Sequence, residues 1–250
     1  MRRPLPIYRQ KLCTPRHYRY PRRLFTQKYG RNQSPRPDKQ GDCPELPLDC
    51  GSVGGTNASF RSGWGEGDLF AAIHFGANYV CHAHADMGNL VIDWDAKRFF
   101  CDLGQDNYNV PNYRRAYRYR AEGHNTVIIN PSYEADQVEL CESYISTYRA
   151  GVGEDCVAVC DLSVAYPGKE VVRGMRMPAD RRSVIIRDEL TLDPADTVYW
   201  FGRTKTNISI SADRRSAVLD IDGSRMWVGL LADGEERPAL IPEDKPISEW

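Results

Sequence analysis

Short apolar runs separated by turn-forming residues occupy the chain beyond about residue 55. Residues 90–94 and 98–103 are two such runs, and the polar stretch Asp95-Ala96-Lys97 between them predicts a β-hairpin. Similar runs recur at 68–75, 126–129, 156–162, 183–192, 197–203, 208–211, 217–221 and 226–231. Helical periodicity is scarce, and residues 110–121 are the one helical or irregular excursion that we expect. The pattern predicts an all-β protein, an antiparallel β-sandwich whose last sheet is incomplete.

Metal-competent side chains are concentrated in residues 78–86. If this segment is a β-strand, alternation places His82, His84 and Asp86 on one face and the two intervening alanines on the other. The chain has only five histidines, and a third, His124, opens another predicted strand. Together with the carboxylate of Asp102, these imidazoles would suit Zn²⁺ or a similar divalent ion. The alternative is a pair of hydrogen-bonded core histidines.

The first 40 residues differ in charge from the rest. They hold twelve Lys and Arg and one acid, a formal net charge of +11, and because the whole chain carries −1 the remainder carries −12. Six prolines and the absence of any apolar period predict that residues 1–50 form a disordered arm or linker, with residues 51–250 as the folded domain. Such an arm can bind phosphates non-specifically. We favour a boundary segment that does not fold, and expect no nucleic-acid partner.

The sequence shows no recognisable targeting signal from which the compartment of the protein could be predicted. No apolar stretch follows the basic start, so no secretory signal is expected, and no run reaches the roughly 18 apolar residues needed to span a membrane. The chain as given is therefore expected to be soluble, and its compartment stays open.

Four motifs occur in a specific order: H-x-H-x-D at 82–86, D-x-G at 102–104, the sequence Gln105-Asp106-Asn107-Tyr108, and H-N-T at 124–126. From about Arg61 to Gln137 the chain resembles the heparinase II/III-like polysaccharide lyases, in their C-terminal β-sandwich domain. The resemblance implies a supersandwich-like fold and β-elimination of uronic-acid-containing polysaccharides of the heparin, heparan, alginate or a related type. Family members are often periplasmic, cell-envelope or secreted proteins.

The resemblance also implies roles for individual residues. His84, Asp102 and His124 would bind a divalent ion, usually zinc and with a structural role. His82 would face the substrate, and Tyr108 would match a tyrosine that alginate-type relatives use in catalysis, although neighbouring tyrosines make this match the loosest.

Four further residues are candidates around this centre. Asp86 and Asn125 are expected to orient the metal ligands through hydrogen bonds. Arg114 and Arg118 are expected to contact the acidic substrate, because β-elimination requires the charge of the uronate carboxylate to be neutralised.

One part of the family pattern is missing from this chain. The related lyases carry an N-terminal α/α-toroid that supplies much of the cleft, and residues 1–50 cannot form one. The chain is therefore expected to be incomplete as a catalyst and to need a toroid domain or partner chain. The competing interpretations are a non-catalytic, metal-braced carbohydrate-binding or structural module, and an unrelated metal-dependent enzyme of the cupin type.

Overall fold

A computed structural model describes residues 46–112, 116–132 and 136–231, together with the backbone of two further strands at 8–13 and 239–243. The described residues contain strands, turns and two short 3-10 turns, Ala121–Gly123 and Ser163–Ala165, and no α-helix. The first eight strands are β1 (Tyr8–Cys13), β2 (Asn57–Arg61), β3 (Phe70–His74), β4 (Gly76–Ala77), β5 (Leu90–Trp94), β6 (Lys97–Phe100), β7 (Val127–Ile129) and β8 (Glu142–Ser143). The others are β9 (Ile145–Arg149), β10 (Cys156–Asp161), β11 (Glu170–Met177), β12 (Ile185–Thr191), β13 (Val198–Arg203), β14 (Asn207–Ile210), β15 (Ser216–Ile221), β16 (Ser224–Gly229) and β17 (Ala239–Glu243).

These strands form packed antiparallel sheets, and the prediction of an all-β sandwich is confirmed. The two main sheets have the orders β2-β3-β5-β6 and β12-β11-β10-β9. A third four-stranded sheet has the order β17-β1-β13-β7, and two smaller sheets have the orders β14-β15-β16 and β4-β8. Among the described pairings, only those that β1 makes with β13 and β17 are parallel.

The core follows the alternation of side chains along the strands. Ala71 and Ile73 of β3 and Ala158 and Cys160 of β10 are almost completely buried, while their neighbours along each strand are partly exposed. They belong to one apolar cluster that joins both main sheets and reaches β15. Because burial of apolar area is the main stabilising contribution, this cluster fixes how the sheets are stacked.

The predicted hairpin is present. β5 and β6 are joined by Asp95 and Ala96, which both have positive φ angles, 53° and 54°. A two-residue turn in which both residues are left-handed has a backbone twist that matches the right-handed twist of the two strands it joins. The register of β5 and β6 therefore depends on this turn.

The predicted disordered arm falls largely outside the described residues. Within it, the backbone of β1 pairs with β13, and residues 46–50 lead into the sandwich, where the backbones of Cys50 and Ser59 pair. Residues 1–7 and 14–45 are outside the described part, so the arm stays a prediction. In the described part of the chain, no helix is long and apolar enough to cross a membrane.

Candidate functional site

The segment that carries His82, His84 and Asp86 is an irregular loop, so the prediction of a strand was wrong. Its backbone bonds close turns within the loop or reach other segments: Ala83 N–H donates to the carbonyl of Val80, and Gly88 N–H to that of His74 in β3. His82 is left-handed, with a φ of 66°. Strand alternation is therefore lost, and the three side chains point to three different partners.

The H-N-T segment was also predicted as the start of a strand. In the structure, His124 to Thr126 are irregular and β7 begins at Val127. The excursion at 110–121 consists of turns where it is described, followed by the 3-10 turn Ala121–Gly123. The site is thus made from loops at the ends of strands.

A small apolar cluster lies beneath these loops. Ala85, from the loop between β4 and β5, packs with Tyr119, Ala121, Ile128 and Phe201, all of them at least nine-tenths buried. The backbone N–H of Ala85 also donates to the carbonyl of Tyr119, at 2.9 Å. This contact brings the loop of His84 against the segment that leads to His124.

His84, Asp102 and His124 lie together. His124 is buried, and its Nδ1 is 2.6 Å from Oδ2 of Asp102. The ring centroids of His84 and His124 are 5.2 Å apart, and the Tyr119 ring flanks His84 at 5.7 Å. The described residues contain no cluster of three or more His, Cys, Asp or Glu side chains positioned to share a metal ion. The three predicted ligands are thus neighbours, and Asp102 is hydrogen-bonded to the imidazole of His124, but they are not arranged to share one ion.

The charges in this cluster are strongly coupled. Burial alone would raise the pKa of Asp102, but its bond and charge interaction with His124 outweigh it and lower this pKa to about 2. Burial alone would lower the pKa of His124, and the interaction with Asp102 raises it instead. For His84, burial and the nearby His124 both lower the pKa. The site therefore favours an ionised Asp102 and a neutral His84.

One buried atom points to an additional ligand. Among the described residues, no group makes a hydrogen bond of good geometry to Nε2 of His124, although the backbone of Arg118 is near enough to favour the protonated ring. A buried imidazole nitrogen without a partner is costly. A histidine whose other nitrogen is held by a carboxylate is also the usual arrangement around protein-bound zinc. The donor chemistry of His84 and His124 therefore fits a metal, with Asp102 as ligand or as hydrogen-bond partner.

Two buried asparagines hold this centre. Asn89 Nδ2 donates to Oδ2 of Asp102 at 2.6 Å, and its Oδ1 accepts from the backbone N–H of Asn125 at 2.9 Å. Asn125 Nδ2 donates to the carbonyls of Leu90 and Cys101, at 2.7 and 3.1 Å. Asn125 was predicted to support the ligands. The sequence analysis missed Asn89, although its place directly after H-x-H-x-D-M-G was a usable signal.

His82 and Tyr108 form a second, exposed part of the site. Nδ1 of His82 is 2.6 Å from the phenol oxygen of Tyr108, which also donates to Oε1 of Gln105 at 3.1 Å. The two rings meet edge to face, with centroids 5.6 Å apart. Both side chains are exposed, so a substrate can reach them.

The remaining predicted residues have different surroundings. Oδ1 of Asp86 is 3.8 Å from Nε2 of His74, and its charge acts on His84 and His124 only at longer range. Arg118 is mostly buried and donates to the carbonyls of Leu103 and Gln105, at 3.0 and 3.3 Å, so it braces the loop that carries Tyr108. Arg114 is outside the described residues.

Arg173 of β11 is another site neighbour that the sequence analysis missed. Its guanidinium is completely buried and donates from Nε and Nη2 to the two carboxylate oxygens of Asp188, at 2.6 and 2.8 Å. Its Nη1 donates to the carbonyls of Gly88 and Asn125, at 2.8 and 3.1 Å. One side chain of the second main sheet, β12-β11-β10-β9, therefore contacts both motif loops, which are residues 82–88 before β5 and residues 124–126 before β7.

Comparison with known proteins adds a family to this geometry. A family model described as "Heparinase II/III-like, C-terminal" matches residues 69–242. A search of curated protein sequences gave no match.

Solved structures share the fold. The heparinase III BT4657 gene product aligns with a TM-score of 0.64 at 21% identity, over 76% of this chain and 29% of its own. A mutant of the heparan sulfate lyase HepC from Pedobacter heparinus aligns with a TM-score of 0.66 at 18% identity, over 79% of this chain and 31% of its own. The chain thus spans less than a third of the length of either protein.

Proposed function

The chain belongs to the heparinase II/III-like C-terminal family, and on that premise we propose that it forms the β-sandwich part of a polysaccharide lyase. Its substrate class is uronic-acid-containing polysaccharides, cleaved by β-elimination. The observation that carries the proposal is the exposed pair of His82 and Tyr108, in hydrogen-bond contact beside a buried cluster of histidines and a carboxylate.

The pair can move both protons that the elimination requires. In the tautomer whose Nδ1 carries no proton, His82 accepts the phenolic proton of Tyr108 across their 2.6 Å contact once the hydroxyl turns away from Gln105. This transfer gives a phenolate and an imidazolium. The phenolate takes the C5 proton, the electron pair forms the C4–C5 double bond, and the C4–O bond breaks. The imidazolium protonates the departing oxygen, which returns both side chains to their starting forms. Each proton is transferred by a positioned side chain, as in general acid–base catalysis.

The uronate carboxylate must be neutralised before C5 becomes acidic. Arg118 is engaged by backbone carbonyls and Asp106, so it contributes mainly by holding the loop of Tyr108. We therefore assign neutralisation to Arg114 and to groups from the toroid that the family resemblance implies. That toroid would come from a further domain or a partner chain.

We also propose that His84 and His124 hold a divalent ion, Zn²⁺, with Asp102 as third ligand or as orienting carboxylate. Two observations support this assignment: His84 is neutral, and no described residue makes a hydrogen bond of good geometry to the buried Nε2 of His124. The ion would supply fixed positive charge that braces the loops beneath the cleft. Asp86 and Asn125 would support the ligands from outside the site.

The catalytic proposal is tested by following the unsaturated product, whose double bond is conjugated to the carboxylate and absorbs in the ultraviolet. The chain is assayed alone and with a toroid-bearing domain, on heparin, heparan sulfate, chondroitin and alginate. We expect little activity from the chain alone, because proximity and charge neutralisation account for many orders of magnitude in rate. Addition of the toroid is expected to restore it.

Tyr108→Phe and His82→Ala should then abolish the restored activity. Tyr144→Phe is the matched control, because Tyr144 is similarly exposed, 43% against 47% for Tyr108, and its hydroxyl bonds Glu142 instead. Equal losses in Tyr144→Phe and Tyr108→Phe would refute the assignment. Absence of product with any polymer and any toroid would favour the non-catalytic carbohydrate-binding or structural module.

The metal proposal has its own test. Elemental analysis of the purified chain should give about one zinc per chain, and His84→Ala should lose it. His74→Ala is the control, because His74 lies near Asp86 and makes no contact with His124 among those described. Unchanged metal content in His84→Ala would remove the assignment.

A further inference from the structure

The two motif loops lack the backbone ladder that holds a strand in place. His84 lies in the irregular loop before β5, and His124 lies before β7. Each loop contains a residue whose carbonyl points into the interior: Gly88 in the first and Asn125 in the second. Buried carbonyls need donors. A group that bonds both carbonyls therefore fixes how the loops sit relative to each other, in addition to the direct bond between Asn125 and Asn89.

One nitrogen of the Arg173 side chain donates a hydrogen bond to each of these two carbonyls. Nη1 of Arg173 donates to Gly88 and Asn125, while the other side of the guanidinium is locked by the two-point bond to Asp188 of β12. The planar fork of arginine makes this geometry rigid, and a lysine ammonium could not reproduce it. The β11–β12 pair thus fixes the position of the guanidinium, and the two hydrogen bonds from Nη1 hold both loops against it.

We infer that Arg173 is a positioning residue that holds the His84 and His124 loops in register with each other from the opposite sheet. It touches no exposed site atom and acts only through the two carbonyls. The inference deepens the proposed lyase function and rests on it for its kinetic test alone.

The chain supplies a matched control for the experiment. Arg181 is also buried, is bonded at two points to Asp49 at 2.8 and 2.7 Å, and donates to the carbonyls of Arg61 and Gly151. None of these partners belongs to the motif loops. Since removing one member of a buried ion pair can unfold a protein, both pairs are replaced whole: Arg173→Met with Asp188→Leu, and Arg181→Met with Asp49→Leu. Arg173→Lys is added as a milder variant.

The first readout is the full chain without any substrate. Histidine-labelled protein gives few ring signals, and amide hydrogen exchange reports the loops at 82–88 and 124–126. We expect the Arg173 pair variant to shift the ring signals of His84 and His124 and to raise exchange in both loops about tenfold. The Arg181 pair variant should lose a similar amount of stability and leave these signals and rates unchanged.

The second readout is the restored lyase reaction. Here the Arg173 pair variant should lower kcat about tenfold or more with little change in KM, because misplaced loops weaken transition-state contacts. Unchanged histidine signals in the Arg173 variant, or equal changes in the Arg181 variant, would overturn the inference. A wild-type chain that yields no product with any toroid would refute the lyase and leave the first readout decisive.

Discussion

Replacing Gly88 by alanine tests whether the interior beneath the site is as closely packed as described. Gly88 has a φ of 81°, which side-chain-bearing residues rarely adopt. An added Cβ would lie 2.9 Å from Cδ of Arg173, 3.0 Å from Cδ1 of Leu162 and 3.1 Å from Oγ1 of Thr126. All three neighbours are fixed by packing or hydrogen bonds, so at least one of them must move.

The expected loss has two components. A left-handed alanine costs about 1–2 kcal/mol, and inserting a methyl group into a packed interior adds about 1–3 kcal/mol. Gly88→Ala should therefore lower the free energy of unfolding by about 2–5 kcal/mol, a large part of the stability of a typical domain.

Urea unfolding of Gly88→Ala and Gly223→Ala separates the two components. Gly223, in the turn between β15 and β16, has a φ of 83° and no atom within 4 Å of an added Cβ. The Gly223→Ala variant should therefore lose only the stability that a left-handed alanine costs. Its effect on the entropy of the unfolded chain should equal that of Gly88→Ala. A Gly88→Ala variant no less stable than Gly223→Ala would refute the described packing of Gly88 against Arg173.

Three other predictions concern buried polar groups, each measured by urea unfolding. Tyr166→Phe should cost about 1–3 kcal/mol because it leaves the carbonyl of Val127 without its 2.7 Å donor, and a loss below measurement error would contradict this contact. Burial raises the pKa of Asp136 to about 6, so its contribution to stability is complete below pH 4 and lost as the pH rises through 6. Asp136→Asn should remove about 1–3 kcal/mol of that pH dependence, and parallel wild-type and variant curves would argue against it. Asp102, with its pKa of about 2 beside His124, contributes above pH 4 and loses this contribution as the pH falls through 2, so Asp102→Asn should cost about 2 kcal/mol at pH 7 and less near pH 3.

Local sequence patterns predicted much of the fold. The run at 90–94 and the Asp95-Ala96 turn were correctly placed because hairpins depend on residues adjacent in sequence. The run at 156–162 matches β10, with Cys156 and Cys160 both buried on one face as alternation requires. β9 and β11 were not predicted as separate strands, since their exposed faces carry charged and hydroxyl residues that weaken the apolar pattern.

The site was predicted less completely, for a physical reason. Motif order identified the cluster of His84, Asp102 and His124, but the assumption of a strand at 78–86 failed because turns satisfy the backbone there. Arg173 and Gly88 are separated by 85 residues in the chain. No local pattern records such a contact, and only the stacking of the sheets creates it.

The attachment of the motif loops to Arg173 has a consequence for synthesis of the protein on the ribosome. Every motif residue, from His82 to Thr126, is translated before β11, and Asn125 also accepts from the backbone N–H of Arg203. Chains grow from the N-terminus and fold by domains, so a nascent chain that ends before residue 173 carries the whole motif without the bonds that join its loops to the second sheet. The site is completed only after β11, β12 and β13 have emerged. A frameshift or early stop between residues 126 and 172 would therefore leave a product that matches the motif and lacks the guanidinium that bonds both of its loops.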